Sequence, residues 1–146
     1  MKLLVLLLQS VWLIASTLHL SASSNPARLN PLIATDSASS SIAGFLFNSL
    51  VKYDETGQKI IGDLAESYRF ITPTEIEFKL RHGVKWHDGK AFNADDVLFT
   101  YELIKSPDTI TPYASDFRVI QSVKVLDPYT LRVKYEKPYF KALEIW

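Results

Sequence analysis

The clearest alternation of polar and apolar positions runs from Glu75 to Arg81. Ile76, Phe78 and Leu80 alternate there with charged residues. Successive side chains of a β-strand point to opposite faces, so apolar residues two apart share one face. The pattern therefore predicts a strand whose three apolar side chains are buried and whose four charged side chains, Glu77 among them, face water.

The residues after this strand predict a second strand and a tight turn. Val84 and Trp86 resume the alternation, and we expect the indole of Trp86 to pack in the core beside Phe78. Asp88 and Gly89 are typical of a turn, because glycine accepts positive φ and aspartate can bond its own backbone. The stretch is therefore expected to fold back on itself here.

A helix is predicted after this turn. Asn93 is a favoured N-cap residue, and Asp95 and Asp96 fall in the first turn, where the helix dipole favours anions. Spacings of three and four residues then predict an apolar stripe that faces the core, formed by Val97, Tyr101 and Ile104.

The flanking segments carry simpler patterns. Residues 23–41 are rich in serine, asparagine and proline, which predicts an extended loop. Ser39–Ser41 are expected to supply the N-cap of a helix over residues 42–50. Residues 108–116 predict a second polar loop, and residues 122–135 predict a β-hairpin.

The N-terminus predicts export from the cytoplasm. Lys2 precedes an apolar run over residues 3–15 and then small residues, which is the plan of a cleavable signal peptide over residues 1–16. The run is shorter than the roughly 20 apolar residues of a spanning helix. The alternative is a buried N-terminal helix. Residues 17–22 alternate and predict the first strand of the mature chain.

The composition limits the kinds of partner that the protein is expected to bind. The 16 basic residues balance the 16 acidic ones, which argues against a nucleic-acid or anionic-membrane partner. The chain has no cysteine, which excludes disulfides, thiol catalysis, thiolate metal sites and a lipoprotein attachment site. We therefore expect a soluble periplasmic or secreted protein.

The sequence offers little support for catalysis or metal binding. His82 and His87 lie at a strand end and a turn, where a third metal ligand is not evident. Asp95 and Asp96 are adjacent on a helix and point about 100° apart, so they do not form a catalytic pair. Ser39–Ser41 have no local histidine partner. We predict a protein that is not an enzyme and holds no metal or cofactor.

Aromatic residues make up 12% of the chain and suit a ligand cleft as well as a core. Tyr113 is the most suggestive of them, because it lies in a polar, proline-flanked loop where an aromatic ring needs a partner surface. The alternative is that the loop merely closes the surface of the protein.

Residues 29–36, 62–68, 77–90, 93–97, 112–115 and 123–135 carry motifs with a family likeness. Through them the chain resembles the family 5 bacterial extracellular solute-binding proteins, the peptide- and nickel-type receptors of ABC importers. Asn30 stands where the family usually has aspartate. The resemblance covers nearly all of residues 17–146, including the predicted hairpin over residues 123–135.

The resemblance implies an α/β fold, the large-class periplasmic-binding-protein fold with an extra α/β subdomain in its first lobe. Residues 17–47 would begin lobe I, and residues 48–146 would form most of the extra subdomain. The second lobe would be absent, so the chain is expected to be an N-terminal fragment.

The resemblance also implies where a ligand binds. Its ligand-facing positions correspond here to Ala34, Thr35, Asp36, Ser37 and Tyr113. Thr35 stands where some relatives have an acidic residue, which leaves the preferred ligand charge open. The implied ligand is a peptide captured in the periplasm, and the implied partners are ABC permease subunits, with the receptor acting as a monomer.

Other functions stay open on the sequence alone. The same fold serves receptors for nickel chelates, haem and oligosaccharides. A secreted hydrolase would need a nucleophile and a base in one cleft. A structural or adhesion module would gain no stability from a small ligand.

Overall fold

The computed structural model describes residues 24–146. The expected signal peptide and the strand expected over residues 17–22 lie outside these described residues. The described part contains, in chain order, α1 (Ser37–Leu46), β1 (Val51–Tyr53), β2 (Ile60–Gly62), β3 (Ala65–Thr72), β4 (Glu75–Leu80), α2 (Ala94–Lys105), α3 (Ala114–Phe117), β5 (Ile120–Asp127) and β6 (Thr130–Tyr135).

The four long strands form an antiparallel sheet in the order β3-β4-β6-β5, and β1 pairs with β2. The predicted β4 and the predicted hairpin of β5 and β6 are confirmed. Ile76, Phe78 and Leu80 are at most 1% exposed, and Phe78 pairs with Leu131 of β6. The core therefore lies on the face of the sheet that carries these apolar residues.

The prediction that every charge of β4 faces water is wrong for Glu77, which is only 5% exposed. Its carboxylate accepts hydrogen bonds from Arg69 at 2.6 Å and from Arg132 at 2.7 Å. Both arginines stand in register with Glu77 on the neighbouring strands. The two guanidinium groups cover the carboxylate on the outer face of the sheet.

The prediction of a second short strand through Val84 and Trp86 is also wrong, because this segment forms only an isolated bridge between Lys85 and Ala91. Trp86 is 40% exposed and packs edge-on against Phe92, while Phe78 has other aromatic neighbours. The expected turn is confirmed, with Gly89 at φ 86°. A bridge and a turn leave this stretch too short for a paired strand.

Helix α2 forms as expected. The side chain of Asn93 accepts a hydrogen bond from the Asp95 amide at 2.8 Å. The Asp96 carboxylate accepts one from the Asn93 amide at 2.9 Å, which completes a reciprocal capping box. The predicted stripe of Val97, Tyr101 and Ile104 is buried.

Helix α1 begins earlier than expected. It covers Ser37–Leu46, so the end of the predicted loop and the predicted span of residues 42–50 both shift. The N-cap is Asp36, whose carboxylate accepts a 2.8 Å hydrogen bond from the Ser39 amide. Ser39 is fully buried, and its hydroxyl accepts a hydrogen bond from the Arg28 amide at 3.1 Å. Asp36, three residues before Ser39, is therefore the cap, and Ser39–Ser41 lie within the helix.

The polar loop expected over residues 108–116 is wrong at its end, where the short helix α3 begins at Ala114 and includes Phe117. Phe117 is buried against Tyr101 of α2, which draws this turn onto the core. Within residues 24–146, no helix combines the length and apolarity needed to cross a membrane.

Candidate ligand-binding site

A hydrogen bond joins the two loops in which the sequence placed ligand-facing residues. The hydroxyl of Thr111 donates a 2.6 Å hydrogen bond to the carbonyl of Leu32. The same hydroxyl accepts a 3.3 Å hydrogen bond from the amide of Tyr113. These contacts hold the segment before α1 beside the segment that leads into α3.

A cleft of about 440 Å³ opens beside this junction, and we call it the aromatic cleft. It is lined by residues of α1, α2, the two joined loops, the segment between β4 and α2, and the C-terminal segment. The lining includes Ala34, Phe47, Trp86, Phe92, Asp96, Tyr101, Tyr113, Phe117, Glu144 and Trp146. Its volume lies within the range of small-molecule pockets.

The structure brings together two of the five positions implied by the resemblance. Ala34 is 4% exposed and Tyr113 is 40% exposed, and both line the aromatic cleft. Thr35, Asp36 and Ser37 are exposed and do not belong to the cleft lining. They lie at the start of α1, adjacent in sequence to Ala34.

The carboxylate of Asp36 already has a structural role. Its hydrogen bonds with the side chain and amide of Ser39 hold the pKa of Asp36 below its usual value. An ionised N-cap stabilises the beginning of α1, because the first amides of a helix lack partners within the helix. Asp36 thus positions the loop that contains Ala34.

The floor of the cleft is an aromatic cluster. The indole of Trp146 lies 5.3 Å from the ring of Phe117 and is stacked 6.4 Å from the ring of Tyr101. The backbone of Trp146 is fixed as well, because its carbonyl accepts a 2.7 Å hydrogen bond from Leu50. The floor is therefore held by contacts among distant segments rather than by one loop.

The walls add residues that the sequence did not identify as ligand-facing. Trp86 and Phe92 form one wall, with ring centroids 5.8 Å apart, and Phe47 also lines the cleft. The available signal was the position of Trp86 among Lys85, His87 and the following turn. A tryptophan surrounded by exposed polar residues is often only partly buried.

The charged side chains of the cleft are all acidic. Asp96 and Glu144 line it, and among residues 24–146 no lysine, arginine or histidine belongs to the lining. The Asp96 carboxylate also caps α2 through the amide of Asn93. The arrangement can bind an apolar group among aromatic rings and would disfavour an anion.

The two histidines considered as metal ligands have separate neighbours. His82 lies 3.9 Å, between ring centroids, from Tyr129, and His87 contacts Phe47 edge-on at 5.8 Å. Across residues 24–146, no three histidine, aspartate or glutamate side chains converge in a way that could hold a metal ion.

The α/β architecture is that of the periplasmic binding proteins, to judge from the solved structures that it resembles. Residues 59–145 match the family described as bacterial extracellular solute-binding proteins, family 5 Middle. This match covers more than half of the chain, and the chain belongs to that family. Proteins of this family are transport receptors.

Two relatives illustrate the similarity in sequence. A protein of Brucella ovis assigned as an ABC transporter peptide-binding protein is 37% identical over 111 residues, which are 75% of this chain and 20% of the relative. The oligopeptide-binding protein AppA of Bacillus subtilis is 35% identical over 118 residues, which are 79% of this chain and 22% of the relative.

Solved structures give the same result. AppA of Bacillus subtilis in complex with a nonapeptide superposes with a TM-score of 0.73 at 34% identity, over 79% of this chain and 23% of AppA. NikZ of Campylobacter jejuni in complex with Ni(L-His) also gives 0.73, at 31% identity, over 84% and 24% of the two chains. This chain spans about a fifth to a quarter of the length of these relatives.

Proposed function

We propose that the chain belongs to the substrate-binding component of an ABC importer and takes part in capturing peptides in the periplasm. The observation that carries the proposal is the junction of the two loops, which places Ala34 and Tyr113 on one cleft. Membership of family 5 supports a receptor, and the similarity to AppA supports a peptide as its ligand.

The chemistry of the cleft suits a peptide. Tyr113, which is 40% exposed, offers an aromatic face and a hydroxyl, and Ala34 adds only a small, buried apolar side chain beside it. Main-chain groups and an aromatic wall can bind an extended peptide without reading its whole sequence. We propose that Thr35, Asp36 and Ser37 contact the ligand farther along, outside the aromatic cleft.

We further propose that residues 17–47 belong to lobe I and residues 48–146 to its extra subdomain. The position of every described strand after residue 50 supports this division. The N-terminal pattern supports export through a signal peptide over residues 1–16. The partners proposed are ABC permease subunits, with the receptor acting as a monomer that binds neither nucleic acid nor a cofactor.

Thermal unfolding with and without short peptides tests the proposal. A ligand at 100 times its Kd stabilises the folded state by about 2.7 kcal/mol. We expect stabilisation by peptides and a clear loss of it in Tyr113→Ala. Phe70→Ala is the matched control, because Phe70 is similarly exposed, at 53%, and lies outside the cleft lining.

The outcomes separate the alternatives. No stabilisation by any peptide of a diverse set would overturn the peptide proposal. Stabilisation by Ni(L-His) alone would support a nickel-chelate receptor, the second candidate that the similarity to NikZ favours. Mass spectrometry of the peptides after incubation tests the remaining proposal, that the protein is not an enzyme. Peptide cleavage that Tyr113→Ala abolishes would contradict it.

A further inference from the structure

We infer that the aromatic cleft is a side-chain subsite that accepts an aromatic or large aliphatic side chain of the peptide and rejects an acidic one. This inference rests on the proposed function and adds a ligand preference to it. It follows from three properties of the cleft: its aromatic lining, its distribution of charge and its position beside the two joined loops.

The lining favours an apolar side chain. The 40% exposed ring of Trp86 and the partly buried indole of Trp146 line the same space, and the buried rings of Phe92 and Phe117 pack behind them. Aromatic rings pair favourably in edge-to-face and offset arrangements, in addition to the effect of burial. An aromatic side chain that enters the cleft can therefore pack against these rings.

The charges disfavour an acidic side chain. Asp96 and Glu144 line the cleft, and no cationic side chain of the lining formed by the described residues compensates them. An aspartate or glutamate of the ligand would lose water and gain two neighbours of like charge. Both effects oppose binding of the ionised form. Glutamine has nearly the shape of glutamate but no charge. Comparing the two therefore separates the effect of charge on binding from the effect of side-chain size.

The position of the cleft connects it to the peptide. Tyr113 lies at the cleft and, through the Thr111 hydroxyl, is tied to the loop that contains Ala34. A peptide held along these two loops would direct a side chain toward the rings behind Tyr113. The ring of Trp86 is 40% exposed and thus accessible to that side chain.

Four tripeptides test the inference on the whole chain: Ala-Xaa-Ala with phenylalanine, leucine, glutamine or glutamate in the centre. Tryptophan fluorescence is a suitable readout, because Trp86 and Trp146 both line the cleft. We expect phenylalanine and leucine to bind at least about tenfold more tightly than glutamate, the order of discrimination a pocket commonly achieves. Glutamine should fall between them.

Substitutions in the cleft test whether the preference for apolar side chains arises there. Trp86→Ala should reduce the ratio of phenylalanine to glutamine affinity several-fold, and Glu144→Gln should improve binding of the glutamate peptide alone. Phe140→Ala is the matched control, because Phe140 is 86% exposed and lies outside the cleft lining. Thermal unfolding of each variant without ligand checks that it folds, and Trp86→Phe is the milder substitute should Trp86→Ala fail.

The results distinguish this inference from the proposed function. Equal affinity for all four peptides, or a preference for glutamate, would overturn the subsite while peptide binding itself stands. Absence of binding by all four peptides and by a diverse peptide set would overturn the proposed function and the subsite with it. A preference for phenylalanine that Trp86→Ala and Trp86→Phe leave unchanged would place the subsite elsewhere and also overturn the inference.

Discussion

The hydroxyl of Thr111 reaches the carbonyl of Leu32 at 2.6 Å, across 79 residues of sequence. Leu32 stands two residues before Ala34, and Thr111 stands two residues before Tyr113. One hydrogen bond thus sets the separation of the two loops that border the aromatic cleft. Because loops are the more mobile parts of a fold, such a bond has a direct effect on the shape of a site between them.

Thr111→Val is expected to weaken this junction. The valine keeps the shape of threonine but cannot donate, so the Leu32 carbonyl loses its partner. We expect a loss of about 0.5–1.5 kcal/mol of unfolding free energy, measured by urea denaturation. Peptide affinity should fall as well, because the loops no longer hold one separation.

Thr111→Ser is the control for this variant, because serine retains the hydroxyl that donates to Leu32. It should keep most of the peptide affinity and of the unfolding free energy. If Thr111→Val bound peptides as tightly as the unmodified chain, the hydrogen bond would have no part in forming the site.

The lowered pKa of Glu77 predicts that the fold loses stability in acid. Hydrogen bonds from Arg132 and then Arg69 lower the pKa of Glu77 from its usual 4.5, against the effect of burial. The unfolded chain therefore binds the proton more readily than the folded chain. The stabilisation is complete above about pH 4.5 and is lost as the pH falls toward the lower folded-state pKa.

Glu77→Gln removes this contribution. We expect it to cost about 1–3 kcal/mol of unfolding free energy at neutral pH, because two guanidinium groups lose a charged partner. The pH dependence of stability between about pH 6 and pH 3 should become shallower. Glu75→Gln, at the next outward position of β4, should change stability by less than about 0.5 kcal/mol. If the loss of stability of Glu77→Gln at low pH matched that of the unmodified chain, Glu77 would not be the source of the acid sensitivity.

The elements whose pattern is local could be predicted from the sequence. The alternation of β4 and the capping box of α2 depend on residues a few positions apart, and both are present. Glu77 could not be assigned, because Arg132 lies 55 residues away and only the sheet register brings the two together. Likewise, the neighbours of Trp86 depend on how the chain turns at the bridge between Lys85 and Ala91. The alternation of polar and apolar residues does not predict this turn.

The candidate site shows the same limit. Tyr113 and Ala34 were proposed by resemblance, and the structure places both on one cleft. The aromatic floor was not foreseen, because Tyr101, Phe117 and Trp146 belong to three different segments. Helical periodicity explains why Tyr101 is buried, but it does not show which rings it meets.

Asn93 should contribute measurably to stability. Its side chain accepts from the Asp95 amide, and its own amide donates to Asp96. Asn93→Ala removes the first of these bonds and is expected to cost about 0.5–2 kcal/mol in chemical denaturation. Asn93→Ser retains an acceptor at the same position and should recover most of the loss. Equal stability of the alanine and serine variants would show that the cap is unimportant.

Two glycines predict opposite effects of the same substitution. A Cβ at Gly62 would collide with the backbone carbonyl of Ala65, whereas a Cβ at Gly44 would meet no atom within 4 Å. Gly62 ends β2 and Gly44 lies inside α1. Gly62→Ala therefore forces the backbone between β2 and β3 to shift, and we expect a loss of about 1–3 kcal/mol.

Gly44→Ala is the matched partner of this experiment. Alanine restricts the unfolded chain and favours a helix, so this variant should gain about 0.5–1 kcal/mol. The two substitutions add the same methyl group, so their difference in urea midpoint isolates the local backbone geometry. Tolerance of alanine at Gly62 would mean that β2 and β3 do not approach as closely in solution. A loss at Gly44 would mean that the exposed face of α1 is covered.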